Sequence, residues 1–249
     1  MKKVPLLSGS NLMFSYPGSR QKKKALEDID LDIFAGEKVG ILGASGSGKT
    51  TLSLILAGFE KPSSGLLLFN GNRLQGRKAY RDYRLRIQYL FQNPMGAVNR
   101  YRKIFEIVSE PLIYRKFKKE AIESIASEML KMVGMDPLRW NDYPDQLSLG
   151  QIQRVCLARA MSTGPEILIC DEPFSALDVS NRGKMEEILL FLNVKHGVTL
   201  IIISHEPKTL LHLCYKVLVL HEGKKVDLFD ITKENDQLSE YTMKLLNQI

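Results

Sequence analysis

Cysteine is scarce in this chain: three residues in 249, Cys156, Cys170 and Cys214, with no Cys-x-x-Cys pair. An odd, scattered set argues against a disulfide framework and against a zinc or iron–sulfur site. Each sits among apolar neighbours, so packing in the interior is the expected role. Long apolar runs are missing too. No stretch approaches the roughly 20 residues needed to span a bilayer. The start, Met1-Lys2-Lys3-Val4-Pro5-Leu6-Leu7-Ser8, carries charge without the apolar segment of a signal peptide. The chain is therefore expected in the cytosol or on the cytoplasmic face of a membrane. No internal repeat or low-complexity segment interrupts it. Of the histidines, His196, His212 and His221 lack ligand spacing and read as ordinary surface or helix residues.

What is present is ordinary for a globular protein: 44% hydrophobic and 25% charged residues. The length allows one large domain or two small ones. The net charge is +7, densest at Arg20 to Lys24 and from Arg100 to Lys119. Nucleic acid or anionic lipid could answer such patches. A solvated face is the preferred reading, because stacking aromatics do not interleave with the basic residues.

Along the chain, Asn11 to Tyr16 and Ile29 to Ile33 read as short antiparallel strands around a turn at Pro17-Gly18-Ser19. Further strands are expected at Gly65 to Phe69 and Ile87 to Phe91. From Pro94 to about Met161 the pattern turns helical. Ile122, Ile125, Ala126, Met129 and Val133 share one face, and Gly134 offers a stop. Met129 and Met132 are expected to pack. The nearly unbroken apolar runs Glu166 to Cys170 and Val198 to Ile203 suit strands buried on both faces of a parallel sheet. Lys216 to Leu220 is a last strand, followed by a turn at His221-Glu222-Gly223-Lys224. The reading is an α/β core with a helical insertion between its middle strands.

Chemistry enters at Gly43-Ala44-Ser45-Gly46-Ser47-Gly48-Lys49-Thr50, a complete G-x-x-x-x-G-K-[ST] pattern. The strand-like run Lys38 to Leu42 precedes it, and the helix-like run Thr51 to Ala57 follows, with Gly58 and Pro62 as a stop. Glycines let successive backbone N–H groups turn inward, making an anion nest at the positive end of a helix. Lys49 is expected to reach the β- and γ-phosphates, and the Thr50 hydroxyl to sit on Mg²⁺. Gly43 to Thr50, with Thr51, is the expected nucleotide-binding segment. This pattern in this context indicates a nucleoside triphosphate.

Phosphoryl transfer also needs a carboxylate on the metal and a group that deprotonates the attacking water. Asp171 and Glu172, at the end of the apolar run Leu168-Ile169-Cys170, supply both: Asp171 for Mg²⁺ and Glu172 as general base.

Leu147-Ser148-Leu149-Gly150-Gln151, followed by Ile152-Gln153-Arg154-Val155, resembles the L-S-G-G-Q signature of ABC (ATP-binding cassette) ATPases. The resemblance covers nearly the whole chain, with the other family motifs in order. It implies that Tyr16 stacks on adenine, that Gln92 is the Q-loop glutamine with a catalytic and Mg²⁺-binding role, and that Asp178 in Ser175-Ala176-Leu177-Asp178 belongs to the D-loop. It makes His205 the switch histidine at the γ-phosphate. Ser148, Gly150 and Gln151 would serve ATP held by an opposite subunit, at the positive end of a helix. The implied fold is a P-loop NTPase core with a mixed sheet, an N-terminal antiparallel β subdomain and an inserted helical subdomain. One ABC ATPase domain would span 1–249, with 94–161 the helical signature part and 1–93 plus 162–249 the rest.

Leu149 departs from the pattern, standing where the family usually has glycine, and is expected to weaken that contact in trans. Phe91-Gln92-Asn93-Pro94 to Asn99, Glu110-Pro111-Leu112 and Glu240-Tyr241-Thr242-Met243-Lys244-Leu245-Leu246 resemble ATPases of peptide and nickel importers. Longer peptide-importer members carry a cysteine-bearing extension. Its absence before Ile249 directs the expectation to the shorter nickel or metal-chelate branch. The implied partners are a second ABC ATPase subunit, identical or related, two membrane permease subunits and an extracytoplasmic solute-binding protein. The solute itself would not touch this chain, and nucleic acid is not expected as a partner. An exporter ATPase, or a soluble ABC ATPase acting on nucleic acid or ribosomes, is the alternative; the latter usually carry coiled-coil insertions or tandem cassettes, which are absent here.

Overall fold

The computed structural model describes residues 3–16, 24–233 and 238–247. The turn expected at Pro17-Gly18-Ser19 lies outside them. In chain order the elements are β1 (Leu7–Ser15), β2 (Lys24–Ile33), β3 (Lys38–Leu42), α1 (Lys49–Leu56), β4 (Ser64–Phe69), β5 (Asn72–Arg73), α2 (Gly76–Arg84) and β6 (Ile87–Leu90). There follow α3 (Ile104–Tyr114), α4 (Lys119–Met132), α5 (Leu149–Met161), β7 (Ile167–Asp171), α6 (Val179–His196), β8 (Thr199–Ser204), α7 (Pro207–Leu213), β9 (Lys216–His221), β10 (Lys224–Asp230) and α8 (Glu240–Leu246).

The strands form two sheets. An antiparallel one has the order β2-β1-β4-β5, and a larger one the order β10-β9-β3-β8-β7-β6. In the larger sheet β9, β3, β8, β7 and β6 run parallel and only β10 is antiparallel, making the sheet mixed. The runs Lys38–Leu42, Ile167–Asp171 and Thr199–Ser204 are buried at every position, which is why they show no apolar–polar alternation. β1 does alternate, with Leu12 and Phe14 turned inward.

Two hydrophobic clusters fill the two faces. One joins α1 to the antiparallel sheet through Leu12, Leu26, Ile29, Leu52 and Ile55, reaching Ile169 and Ile201 of the central strands. The other joins α3, α4 and α5 to the opposite face through Ile107, Leu130, Val155, Leu168 and Ile202. Each such fully buried side chain contributes about 1.5–3 kcal/mol. Met129 and Met132 pack at the margin of this second cluster. Cys156, Cys170 and Cys214 are all buried, as the sequence indicates, and their thiols are free. No helix among the described residues is long and apolar enough to cross a membrane.

Register sets the position of the site. β3 pairs with β8 so that Leu42 meets Ser204, β8 with β7 so that Ile203 meets Asp171, and β7 with β6 so that Cys170 meets Leu90. The next residues in each chain, Gly43, His205, Glu172 and Phe91-Gln92, therefore emerge together at the carboxyl edge of one parallel sheet. Ligands of open α/β sheets bind at that edge.

Candidate functional site

The phosphate-loop pattern folds as a tight turn between β3 and α1. Ser47 N–H donates to the Ala44 carbonyl at 3.2 Å, and Leu52 N–H to Gly48 at 2.8 Å. Two glycines are sterically required. Gly48 has φ +104, and a Cβ there would lie 2.9 Å from the Ala25 carbonyl oxygen; a Cβ on Gly43 would run into the Leu220 carbonyl oxygen and Ser47 Oγ. The loop is braced from outside: Gly223 N–H donates to Ser47 O at 3.0 Å, and Glu27 N–H donates to Gly223 O at 2.8 Å.

Residues 44–51 line a cleft of about 700 Å³ together with Tyr16, Lys24, Ala25, His221, Glu222 and Gly223. That volume lies within the range of small-molecule sites. Tyr16 is half exposed, and its hydroxyl stands 2.9 Å from Thr51 Oγ1. Phe14, on the same strand, is buried and meets the Tyr16 ring edge-on at 5.0 Å. Of the two aromatics, only Tyr16 lines the cleft. His221, which the sequence gives no reason to single out, stands in its wall, with its ring 3.9 Å from that of Tyr241 on α8. Only the placement of β9 beside β3 brings it there, and sheet order is not written in local sequence.

Lys49 is buried, and its ammonium donates to the carbonyls of Gly43 (2.7 Å) and Ala44 (2.9 Å). Burial lowers its pKa, against the opposing fields of Glu172 and Asp171. Asp171 ends β7, is also buried, and has its pKa raised chiefly by that burial and further by Glu172; the Tyr89 hydroxyl and Lys49 pull the other way. Tyr89 O–H donates to Asp171 Oδ2 at 2.8 Å.

Glu172 adopts φ +48, the left-handed region that costs a non-glycine residue about 1–3 kcal/mol. Its N–H donates to Ile203 O at 3.0 Å, one further rung between β7 and β8. Its carboxylate Oε1 accepts from the His205 N–H at 3.0 Å and faces His205 Nδ1 at 2.8 Å. The glutamate side chain is 12% exposed and the histidine 57%. Gln92 follows β6 as an exposed residue at the same sheet edge.

Ser148, Gly150, Gln151 and Asp178 form a separate group. Ser148 caps α5: its Oγ accepts from Gln151 N–H at 3.3 Å, while Gln151 Oε1 accepts from Ser148 N–H at 2.9 Å. The Ser148 hydroxyl oxygen accepts from its own helix, and its proton is not used in the cap. Gly150 is buried against Asn181, whose side chain donates to Asp178 Oδ2 at 2.6 Å. None of these residues lines the cleft around the phosphate loop. Leu149 opens α5 and is 37% exposed. The same helix fastens both neighbouring loops. Gln153 Nε2 donates to Pro173 O at 2.5 Å, and Arg159 Nη1 donates to Ala97 O at 2.6 Å.

The side chains suit a triphosphate and a divalent cation. Ser47 Oγ is buried without a hydrogen-bond partner among the described residues, a donor left over at the phosphate loop. Thr50 keeps an exposed hydroxyl at the first turn of α1, and Asp171 Oδ1 carries no hydrogen bond among the described residues. Hydroxyl and carboxylate oxygens are the donor set that Mg²⁺ prefers.

A parallel sheet with a phosphate loop after one strand and a carboxylate ending another defines a P-loop nucleoside triphosphatase. Residues 26–175 match the ABC transporter family. The chain is 37% identical to the oligopeptide transport ATP-binding protein OppF of Haemophilus influenzae, covering 96% of this chain and 73% of that protein. It is 35% identical to the nickel import ATP-binding protein NikE of Rhodospirillum rubrum, over 92% and 85% of the two chains. Among solved structures it resembles cbiO1 of Clostridium perfringens, part of the transporter complex cbiONQ, at TM-score 0.84 and 28% identity, covering 92% and 90%. The dimeric ATP-binding cassette MJ0796 bound to ADP and Pi superposes at TM-score 0.83 and 28% identity, covering 92% of this chain and all of that one. The chain belongs to the ABC transporter family and is an ATP-hydrolysing member of it.

Proposed function

We propose that this chain is the ATPase subunit that powers an ABC importer, working from the cytoplasmic face of the cell membrane. The observation that carries the reading is the convergence of Lys49, Asp171, Glu172 and His205 at one sheet edge, while Ser148, Gly150 and Asp178 stand apart on another surface. Such a division suits a composite site in which a second ATPase subunit, identical or related, completes each nucleotide site.

Within that site Tyr16 stacks on adenine, and residues 43–51 hold the phosphates. Thr50 and Asp171, with Gln92, hold Mg²⁺, which when bound neutralises charge on the β- and γ-phosphates. Glu172 takes the proton of the attacking water, and His205 donates to the γ-phosphate. Ser148, Gly150, Gln151 and Asp178 act on the partner's nucleotide. Residues 94–161 act as the signature-bearing helical part of one ABC ATPase domain. Two permease subunits dock at the groove lined by Phe59, Phe91, Pro111 and Tyr114, and a binding protein delivers solute from outside. The solute is an oligopeptide or a nickel or other metal chelate, in line with the names of the relatives; methionine import proteins of Bacillus cereus, 36% identical, widen the class to amino acids.

Purification of the tagged chain from membranes, with identification of what accompanies it, tests this reading. Permease subunits and an extracytoplasmic binding protein are the expected companions. Ribosomes, nucleic acid, or a permease that exports would overturn it.

A further inference from the structure

Tyr89 is a buried tyrosine on β6. It lies between two groups of the nucleotide site. The phenol oxygen is 2.8 Å from Asp171 Oδ2 and 2.9 Å from Ser53 Oγ, and Ser53 Oγ is in turn 2.8 Å from the carbonyl oxygen of Thr50. Three short contacts thus link the carboxylate that ends β7 to the backbone of the residue that closes the phosphate loop.

Counting protons fixes the direction of the chain. An ionised carboxylate and a carbonyl can only accept, and each hydroxyl carries one proton. The Tyr89 proton must therefore go to Asp171. The single Ser53 proton is shared between the Thr50 carbonyl and the Tyr89 oxygen, so the serine can polarise the phenol that holds the carboxylate. With Oδ2 so held, Oδ1 is the oxygen left to face the loop. The phenol ring is itself fixed, in ring contact with Phe91 at 4.7 Å and Phe59 at 5.8 Å, and Ser53 is fully buried on α1. Neither hydroxyl is needed to fill space: phenylalanine and alanine would occupy the same sites. Two buried polar groups have been placed in an apolar layer for one bond each to the site, and burial of such groups is costly unless they are paired.

We propose that Tyr89 is a positioning residue for the metal-binding carboxylate, and that Ser53 ties it to the phosphate loop so that Asp171 and Thr50 keep one mutual geometry. The inference rests on the reading of Asp171 as the Mg²⁺ carboxylate. Groups that orient a metal ligand without touching the metal are worth about 10- to 100-fold in metal affinity.

The test uses the full chain and the non-hydrolysable analogue AMP-PNP, with affinity measured first in EDTA and then with Mn²⁺. The ratio of the two is the metal-dependent gain, and it reports on the carboxylate without any turnover. Tyr89→Phe is expected to leave the affinity in EDTA within twofold and to cut the gain by about 10-fold. Ser53→Ala should cut it by about threefold, the scale of one lost neutral hydrogen bond. In the steady state the same variants should raise the Mg²⁺ concentration for half-maximal ATPase activity more than they lower kcat. A wild-type gain in Tyr89→Phe overturns the proposal. So does an equal loss in EDTA and in Mn²⁺, which would indicate general damage to the loop. Asp171→Asn separates the two levels. If it abolishes the gain while Tyr89→Phe does not, only the positioning role fails; if neither moves the gain, the metal reading of Asp171 fails as well.

Discussion

The Glu172 carboxylate and the His205 imidazole meet at 2.8 Å through Nδ1, and the same Oε1 accepts the His205 backbone N–H at 3.0 Å. The pair is held by backbone from two adjacent strands, so its geometry does not depend on side-chain packing alone. With Nδ1 turned to the glutamate, Nε2 is the ring nitrogen available to a ligand. Glu172 makes both contacts from a left-handed backbone conformation, φ +48. Strain of this kind persists where the surroundings over-determine it, and it gathers at functional sites.

Glu172→Gln separates the pairing with His205 from the proposed role as general base. Glutamine keeps a carbonyl oxygen for the His205 N–H but cannot take a proton from water. ATP binding, read with a fluorescent nucleotide, should stay within about twofold. Hydrolysis should fall by about 10²–10⁴-fold, the contribution typical of a general base. Near-normal turnover would remove Glu172 from that role.

Lys49 is the cation of the phosphate loop, held by the carbonyls of Gly43 and Ala44. A triphosphate would replace those neutral acceptors with charged ones, and charge-assisted bonds are about twice as strong. Lys49→Ala is expected to weaken ATP binding by about 10- to 100-fold, corresponding to the loss of one such bond. Calorimetric titration checks it, and an unchanged affinity would contradict the phosphate assignment.

The cysteines give a pH prediction independent of nucleotide. Burial pushes Cys156 up to about 11 and Cys214 up to about 12, and raises Cys170 as well, with nearby negative charge adding to it. A thiol raised in the folded state stays protonated at pH 8, so iodoacetamide should label none of them in the native protein, as read by mass spectrometry. The folded state then binds more protons than the unfolded one above the ordinary thiol range. Stability should be unaffected by these groups below about pH 8.5, and fall with rising pH from there through the raised values. Rapid native labelling at pH 8 would show that the thiols are not buried as described.

Much of this was legible from residues alone, for identifiable reasons. The phosphate loop is a local object, needing only a strand, glycines and a helix in succession. The strands Ile167–Asp171 and Thr199–Ser204 announce themselves because burial on both faces leaves no polar position. What local sequence conceals is adjacency. His221 reaches the cleft because β9 pairs with β3, and Asn181 reaches Gly150 because α6 begins beside α5. Ser53 and Tyr89 lie 36 positions apart, each at a place where an apolar residue would be equally plausible. Helix α2 shows no apolar stripe in the sequence because its polar face dominates: only Tyr80 and Tyr83 are buried in it. The β10 strand lacks the apolar run that marks its partner β9, since it lies at the sheet edge.

Leu149 offers the sharpest test of the division between the two surfaces. It is the first residue of α5, partly exposed, next to the Ser148 cap and to Gly150. If that surface completes a partner's nucleotide site, a branched side chain there crowds it, and Leu149→Gly should raise ATPase activity of the assembled transporter. The isolated chain should gain nothing, and should lose up to about 1 kcal/mol of stability, because glycine is a poor helix residue. Gly150→Ala makes the opposite case. Its Cβ would lie 2.8 Å from Asn181 Cγ, displacing the side chain that holds Asp178 Oδ2 at 2.6 Å. Activity of the assembled transporter should then fall, while ATP binding to the isolated chain stays at the wild-type level. If Leu149→Gly leaves the assembled activity unchanged or lowers it, the crowding argument is wrong. If Gly150→Ala weakens ATP binding by the isolated chain, the two surfaces are not separate.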